Sequence, residues 1–149
     1  MRLPVWLAAL VLSACVALPR YLTPSGKPEV FVGNMSRAAL INKIAAACVN
    51  TGYRVARVDD FIVDCRRSNG GAAAVADRIV YGTPRLSEPE ERALFNVVET
   101  QDGFRVVMTV LNVINPGTAR EKTDDNTLFP SDHARRLQTA LGLPGPVRQ

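Results

Sequence analysis

The chain has 149 residues, 18 Lys and Arg against 14 Asp and Glu, and a formal net charge of +4, which suits one domain of ordinary size with a sizeable core. Its basic side chains are scattered apart from the pairs Arg66-Arg67 and Arg135-Arg136; a nucleic-acid binder would concentrate them on one stripe. Beyond the N-terminus no apolar run reaches the eighteen or so residues that a transmembrane helix needs.

The first fifteen residues form a unit. Arg2 supplies a minimal positive region, Leu3 to Leu12 form an apolar run containing Trp6, and the small residues Ser13 and Ala14 lead into Cys15. This is the layout of a secretory signal, too short to cross a hydrocarbon core of roughly 30 Å as a helix. Leu12-Ser13-Ala14-Cys15 resembles the lipobox of bacterial lipoproteins, in which the cysteine thiol is diacylated and the chain is cut just before it. The resemblance covers only the signal, and an ordinary signal peptide with a chance cysteine is the competing reading. What the resemblance implies is a signal peptide over residues 1–14 and lipidation at Cys15. An Asp after the lipid-bearing cysteine commonly retains such proteins in the inner membrane; Val16 stands there instead. That implies sorting to the periplasmic face of the outer membrane, where the envelope has one. Two acyl chains suit stable anchoring, because one chain binds only marginally.

Giving Cys15 to lipid leaves Cys48 and Cys65 as an even pair in an oxidising compartment. A disulfide between them closes a loop of about 17 residues and is worth on the order of 3 kcal/mol. Two buried reduced thiols are the alternative.

Val16 to Pro28 is broken by Pro19, Pro24, Ser25, Gly26 and Pro28, so residues 15–28 are expected to be a lipidated cysteine and flexible tether, reaching at most about 40 Å when extended. Residues 29–149 then form a single domain. Glu29 to Val32 predicts a first strand. Ser36 is an N-cap for a helix with Leu40, Ile44, Ala47 and Cys48 on one stripe and Gly52 at its end. Tyr53 to Val58 and Phe61 to Cys65 alternate as two short strands about Asp59-Asp60, with Phe61, Val63 and Cys65 on one face. Packing that face under the helix brings Cys65 near Cys48.

Arg66 to Gly71 is a polar connection, the second half of Ala72 to Tyr81 a strand, and Thr83 to Pro89 a loop. Ser87-Glu88-Pro89-Glu90 matches a capping box and predicts a turn of helix. Ala93 to Thr100 and Phe104 to Ile114 read as a hairpin around Asp102-Gly103, the strongest β signal in the chain. The second of these strands is apolar on both faces and should lie centrally. Thr118 to Thr127 is expected as a charged loop. Ser131 caps a final helix that buries Leu137, Ala140 and Leu141, stops at Gly142 and leaves a frayed tail. The expected architecture is α+β: a mainly antiparallel sheet of about five or six strands with two helices packed on one face. In the order of its elements it is similar to the helix-grip domains of small envelope lipoproteins, such as those of the β-barrel assembly machinery.

Ser131-Asp132-His133 holds the residue types of a hydrolase triad, but a triad is assembled from distant parts of the chain, and a capped helix start is the simpler reading. One histidine and a bridged cysteine pair do not make a zinc site. Asp124-Asp125-Asn126 lacks the spaced ligands of a calcium loop. Asn34-Met35-Ser36 matches a glycosylation acceptor, yet Ser36 is better used as a cap. The arginine pairs read as solvated charge rather than phosphate sites. No catalytic residue, metal or cofactor is therefore assigned. The expectation is a noncatalytic envelope lipoprotein, held to the membrane by lipid, acting as an interaction or assembly subunit for an envelope protein and binding no nucleic acid. The competing expectation is a periplasmic module that holds a small amphiphile or envelope polymer between helix and sheet.

Overall fold

The computed structural model of the protein describes residues 19–70 and 88–147. Its elements run β1 (Glu29–Gly33), α1 (Arg37–Asn50), β2 (Arg54–Val58), β3 (Ile62–Ser68), β4 (Glu90–Thr100), β5 (Gly103–Ile114), β6 (Lys122–Asp125) and α2 (Asp132–Ala140). The six strands form one antiparallel sheet in the order β1-β5-β4-β3-β2, with β6 also on β5. With its two helices this is the α+β architecture that the sequence predicts. The strand expected over the second half of Ala72 to Tyr81 lies outside the described residues.

Helix α1 forms as its sequence dictates. Ser36 is extended and its Oγ accepts the Ala39 N–H at 3.2 Å, satisfying one of the orphan donors of the first turn. Leu40, Ile41, Ile44, Ala47 and Cys48 are buried. At the other end Gly52 takes a φ of +89°, while Gly52 N–H reaches Val49 O and Tyr53 N–H reaches Cys48 O at 2.9 Å. These two bonds make a Schellman cap, and the left-handed residue it needs is glycine.

The hairpin β4–β5 sets the register of the sheet. Val63, Cys65, Ala93, Phe95, Val97, Val106, Met108 and Val110 form the buried, helix-facing side of β3, β4 and β5. At the hairpin turn β1 comes in close. A Cβ on Gly103 would lie 2.4 Å from the Val32 carbonyl oxygen and 3.0 Å from the Phe31 ring, so only glycine lets β1 pair with β5 at Gly33↔Gly103.

Several expectations are corrected. Phe61 shares the side of Val63 and Cys65 but belongs to a turn closed by Asp59, whose Oδ1 accepts the N–H groups of Phe61 and Ile62 at 3.0 and 2.7 Å; the ring is 58% exposed. That carboxylate explains why Asp-Asp serves where Asn-Gly is usual. Glu90 opens no helix: it is the first residue of β4, paired with Ser68 and Val113. The charged stretch Thr118 to Thr127 contains β6, because β5 outruns β1 and offers a free edge to Leu111–Ile114 partners. In α2 the buried residues are Ala134, Leu137 and Gln138, whereas Ala140 is exposed and Leu141 half-buried. Residues 15–18 of the expected tether lie outside the described residues. From Arg20 onward the stretch is laid on the domain, with Arg20 and Val147 exchanging two backbone hydrogen bonds. Tyr21 is buried, its hydroxyl donating to Thr127 O and accepting from Gln138 Nε2, both at 3.0 Å. The tail is correspondingly not frayed at Leu143, which is buried, or at Val147.

Candidate interaction surface

Cys48 near the end of α1 and Cys65 in the middle of β3 form a disulfide, with an S–S distance of 2.15 Å and Cα atoms 6.2 Å apart. Both residues are fully buried, so the bridge ties the helix to the sheet inside the core. Cys15, the expected lipidation site, lies outside the described residues.

The other residues singled out in the sequence are held apart. Ser131 Oγ accepts the Ala134 N–H as the cap of α2 and donates to Glu91 Oε1 at 2.8 Å. Asp132 is exposed and pairs with Arg135, and His133 Nδ1 lies 3.2 Å from the Thr51 carbonyl oxygen. The three consecutive side chains thus point at three different partners. Asp125 accepts from Lys27 Nζ at 3.1 Å and from the Thr127 N–H. Among the described residues no three His, Cys, Asp or Glu side chains converge as metal ligands do.

Two buried polar clusters escape a reading by motif. On the helix-facing side Glu91, 1% exposed, takes hydrogen bonds through Oε1 from both the Tyr53 hydroxyl and Ser131. Burial first, then the adjacent Glu91 carboxylate, hold the Tyr53 phenol far above its ordinary pKa, so it stays a donor. On the other side of the sheet Asp64, 2% exposed, accepts from Arg66 at 2.9 Å and from Arg92 at 2.7 Å. Burial pushes its carboxyl up, but the Arg92 and Arg66 hydrogen bonds outweigh that and hold it below the usual value.

That depression predicts an acid limb. Stability from Asp64 is fully present above the carboxylate's unfolded pKa of about 3.9 and is lost as pH falls through its lower folded value. Asp64→Asn should cost about 2 kcal/mol at pH 7, a buried-pair loss discounted for two partly solvated arginines. It should also flatten the decline in unfolding free energy below about pH 4 in denaturant titrations. An unchanged acid slope would show that Asp64 does not drive it.

Between α1 and the sheet, where a ligand was the competing expectation, the void lined by Val30, Val32, Leu40, Ile44, Val106 and Leu141 is about 10 Å³. Small-molecule sites need roughly 300 Å³ or more. Apart from Val49 on α1 and Val58 on β2, the exposed large apolar side chains lie at the turn end of the sheet or in the segments around Leu22, Phe129 and Val147. Phe31, Arg105 and Val98 are cross-strand neighbours in one row of β1, β5 and β4, on the side away from the helices, and Phe31 and Val98 are 56% and 41% exposed. Around that end Phe61 lies under Arg37, whose guanidinium is 5.1 Å from the ring centroid and is paired with Glu99. Leu22 and Val147, also exposed, lie at the Arg20–Val147 bridge, and the exposed Phe129 follows Thr127, whose carbonyl takes the Tyr21 hydroxyl. Alternation along β1 and β4 was the available signal for Phe31 and Val98; no period marks Leu22, Phe129 or Val147.

No family model, no curated protein and no solved structure matches this chain.

Proposed function

We propose that this chain is a bacterial envelope lipoprotein, anchored through lipid on Cys15, that works as a noncatalytic interaction or assembly subunit at the periplasmic face of the outer membrane. The observation that carries the reading is Leu12-Ser13-Ala14-Cys15 after a short apolar run. The Cys48–Cys65 disulfide suits the oxidising compartment that an export signal implies. The row Phe31, Arg105 and Val98 has the make-up of a contact surface: exposed apolar side chains on rigid strands around an arginine. Among the described residues the void between α1 and the sheet is about 10 Å³, which supports the interaction reading over a ligand held there.

The test joins anchor and surface. Wild-type protein should carry a diacylglyceryl mass on Cys15, and Cys15→Ser should leave the precursor unmodified and release processed material from the membrane. A photo-crosslinker at Phe31 or Val98 should give a discrete envelope-protein adduct that disappears with Cys15→Ser and is absent from Val49 on the outside of α1. An unmodified wild-type mass with unchanged membrane association sinks the anchor. Adducts indistinguishable between Phe31 and Val49 sink the surface.

A further inference from the structure

Held at Cys15, the domain has little freedom to turn. Arg20 is already pinned to Val147 by N–H···O bonds of 3.0 and 2.9 Å in both directions, and Tyr21 is anchored in the interior by Thr127 and Gln138. Five residue steps from Cys15 to Arg20 span at most about 18 Å. A domain of this length has a radius of gyration of about 14 Å and is roughly 35 Å across, so the leash is about half the diameter of what it holds. Only the side on which the leash enters can face the bilayer closely.

That side carries exposed apolar side chains at Leu22 and Val147. Arg20 and Val147 form a hydrogen-bonded antiparallel pair, which puts their side chains on one face. Tyr21 points the opposite way, inward, and Leu22 alternates back to the outer face, where it is 68% exposed. Phe129, 60% exposed, follows two residues after the carbonyl that the Tyr21 hydroxyl grips. Two aliphatic side chains with an exposed arginine, and an exposed aromatic that follows Thr127, suit an interface of acyl chains and anionic headgroups.

We infer that the domain docks against the lipid surface through Arg20, Leu22, Phe129 and Val147, leaving the β2 edge of the sheet turned away from the membrane. The inference rests on the lipid anchor proposed above. Strand β2 lies four strands from β1, a lateral separation of about 19 Å, and so provides the control position.

The experiment uses the mature lipidated protein in vesicles of phosphatidylethanolamine and phosphatidylglycerol, some carrying a doxyl-labelled lipid. Leu22→Cys, Phe129→Cys and Val58→Cys each add one exposed thiol for an environment-sensitive fluorophore, the native Cys48 and Cys65 being bridged. Quenching at positions 22 and 129 should be at least threefold stronger than at position 58. Equal quenching at all three positions, in protein whose mass shows a diacylated Cys15, overturns the docking and leaves the anchor standing. Protein that washes off the vesicles with Cys15 unmodified overturns both.

Discussion

Replacing Cys48 and Cys65 together by alanine should lower the unfolding free energy by about 3 kcal/mol, the loop-closure value for 17 intervening steps, with the midpoint of thermal unfolding falling by roughly 10 °C. The bridge joins the last turn of α1 to the centre of β3, and neither residue is exposed. Its loss therefore frees a helix whose main hold on the sheet is one stripe of five residues. Thiol alkylation of the denatured, unreduced wild-type protein should label neither residue, and labelling should appear only after reductant is added. Because both sulfurs lie inside the core, reduction of the native protein should be slow and should accelerate in denaturant. Ready alkylation without reductant would rule the bridge out. A midpoint unmoved in the double variant would mean that α1 stays docked through packing alone.

The bridge was also the part of the fold most legible in the sequence, and the reason is local. Ser36 and Gly52 bracket α1, Cys48 sits on its apolar stripe, and Cys65 falls on the buried side of an alternating strand, so two short-range periods meet at one contact. The hairpin at Gly103 was legible for the same reason. What failed depended on partners distant in the chain. Lys122–Asp125 has four exposed polar residues and becomes a strand only because β5 continues past β1 and presents unpaired backbone groups. Tyr21 sits among prolines and serines, where no pattern marks it, and is ordered by a carbonyl 106 residues away. Glu91 was within reach: carrying the alternation of Phe95 and Ala93 back one step puts it on the inward side. A charged residue at the start of a run has the look of a boundary, and the strand expected from Ala93 therefore omits it. The apparent capping box reinforced that error, since Glu90 has the right type and spacing, yet its backbone is claimed by ladders on both sides.

Glu91→Leu should be the most damaging single substitution among the buried polar residues, costing about 3–4 kcal/mol. Glu91 Oε1 is the common acceptor for the Tyr53 hydroxyl, which follows α1, and for Ser131, which caps α2. One carboxylate on β4 thereby fixes the exit of the first helix and the entry of the second. An apolar replacement of similar size fills the space but removes the acceptor shared by the buried Tyr53 hydroxyl and the half-buried Ser131 hydroxyl, and it loosens Ser131 from the rotamer in which its oxygen takes the Ala134 N–H. Glu91→Gln keeps an acceptor at the same place and should cost only about 1–2 kcal/mol. Tyr53→Phe removes one donor and should cost about 1 kcal/mol in the wild-type background. In the Glu91→Leu background the same change removes a hydroxyl that has already lost its carboxylate acceptor, so it should cost less than in the wild type or restore stability. The cycle, measured by urea denaturation, is the decisive readout. Additive losses would mean that the two residues stabilise the fold independently, and that α2 is placed by the packing of Leu137 rather than by the carboxylate beneath its first turn.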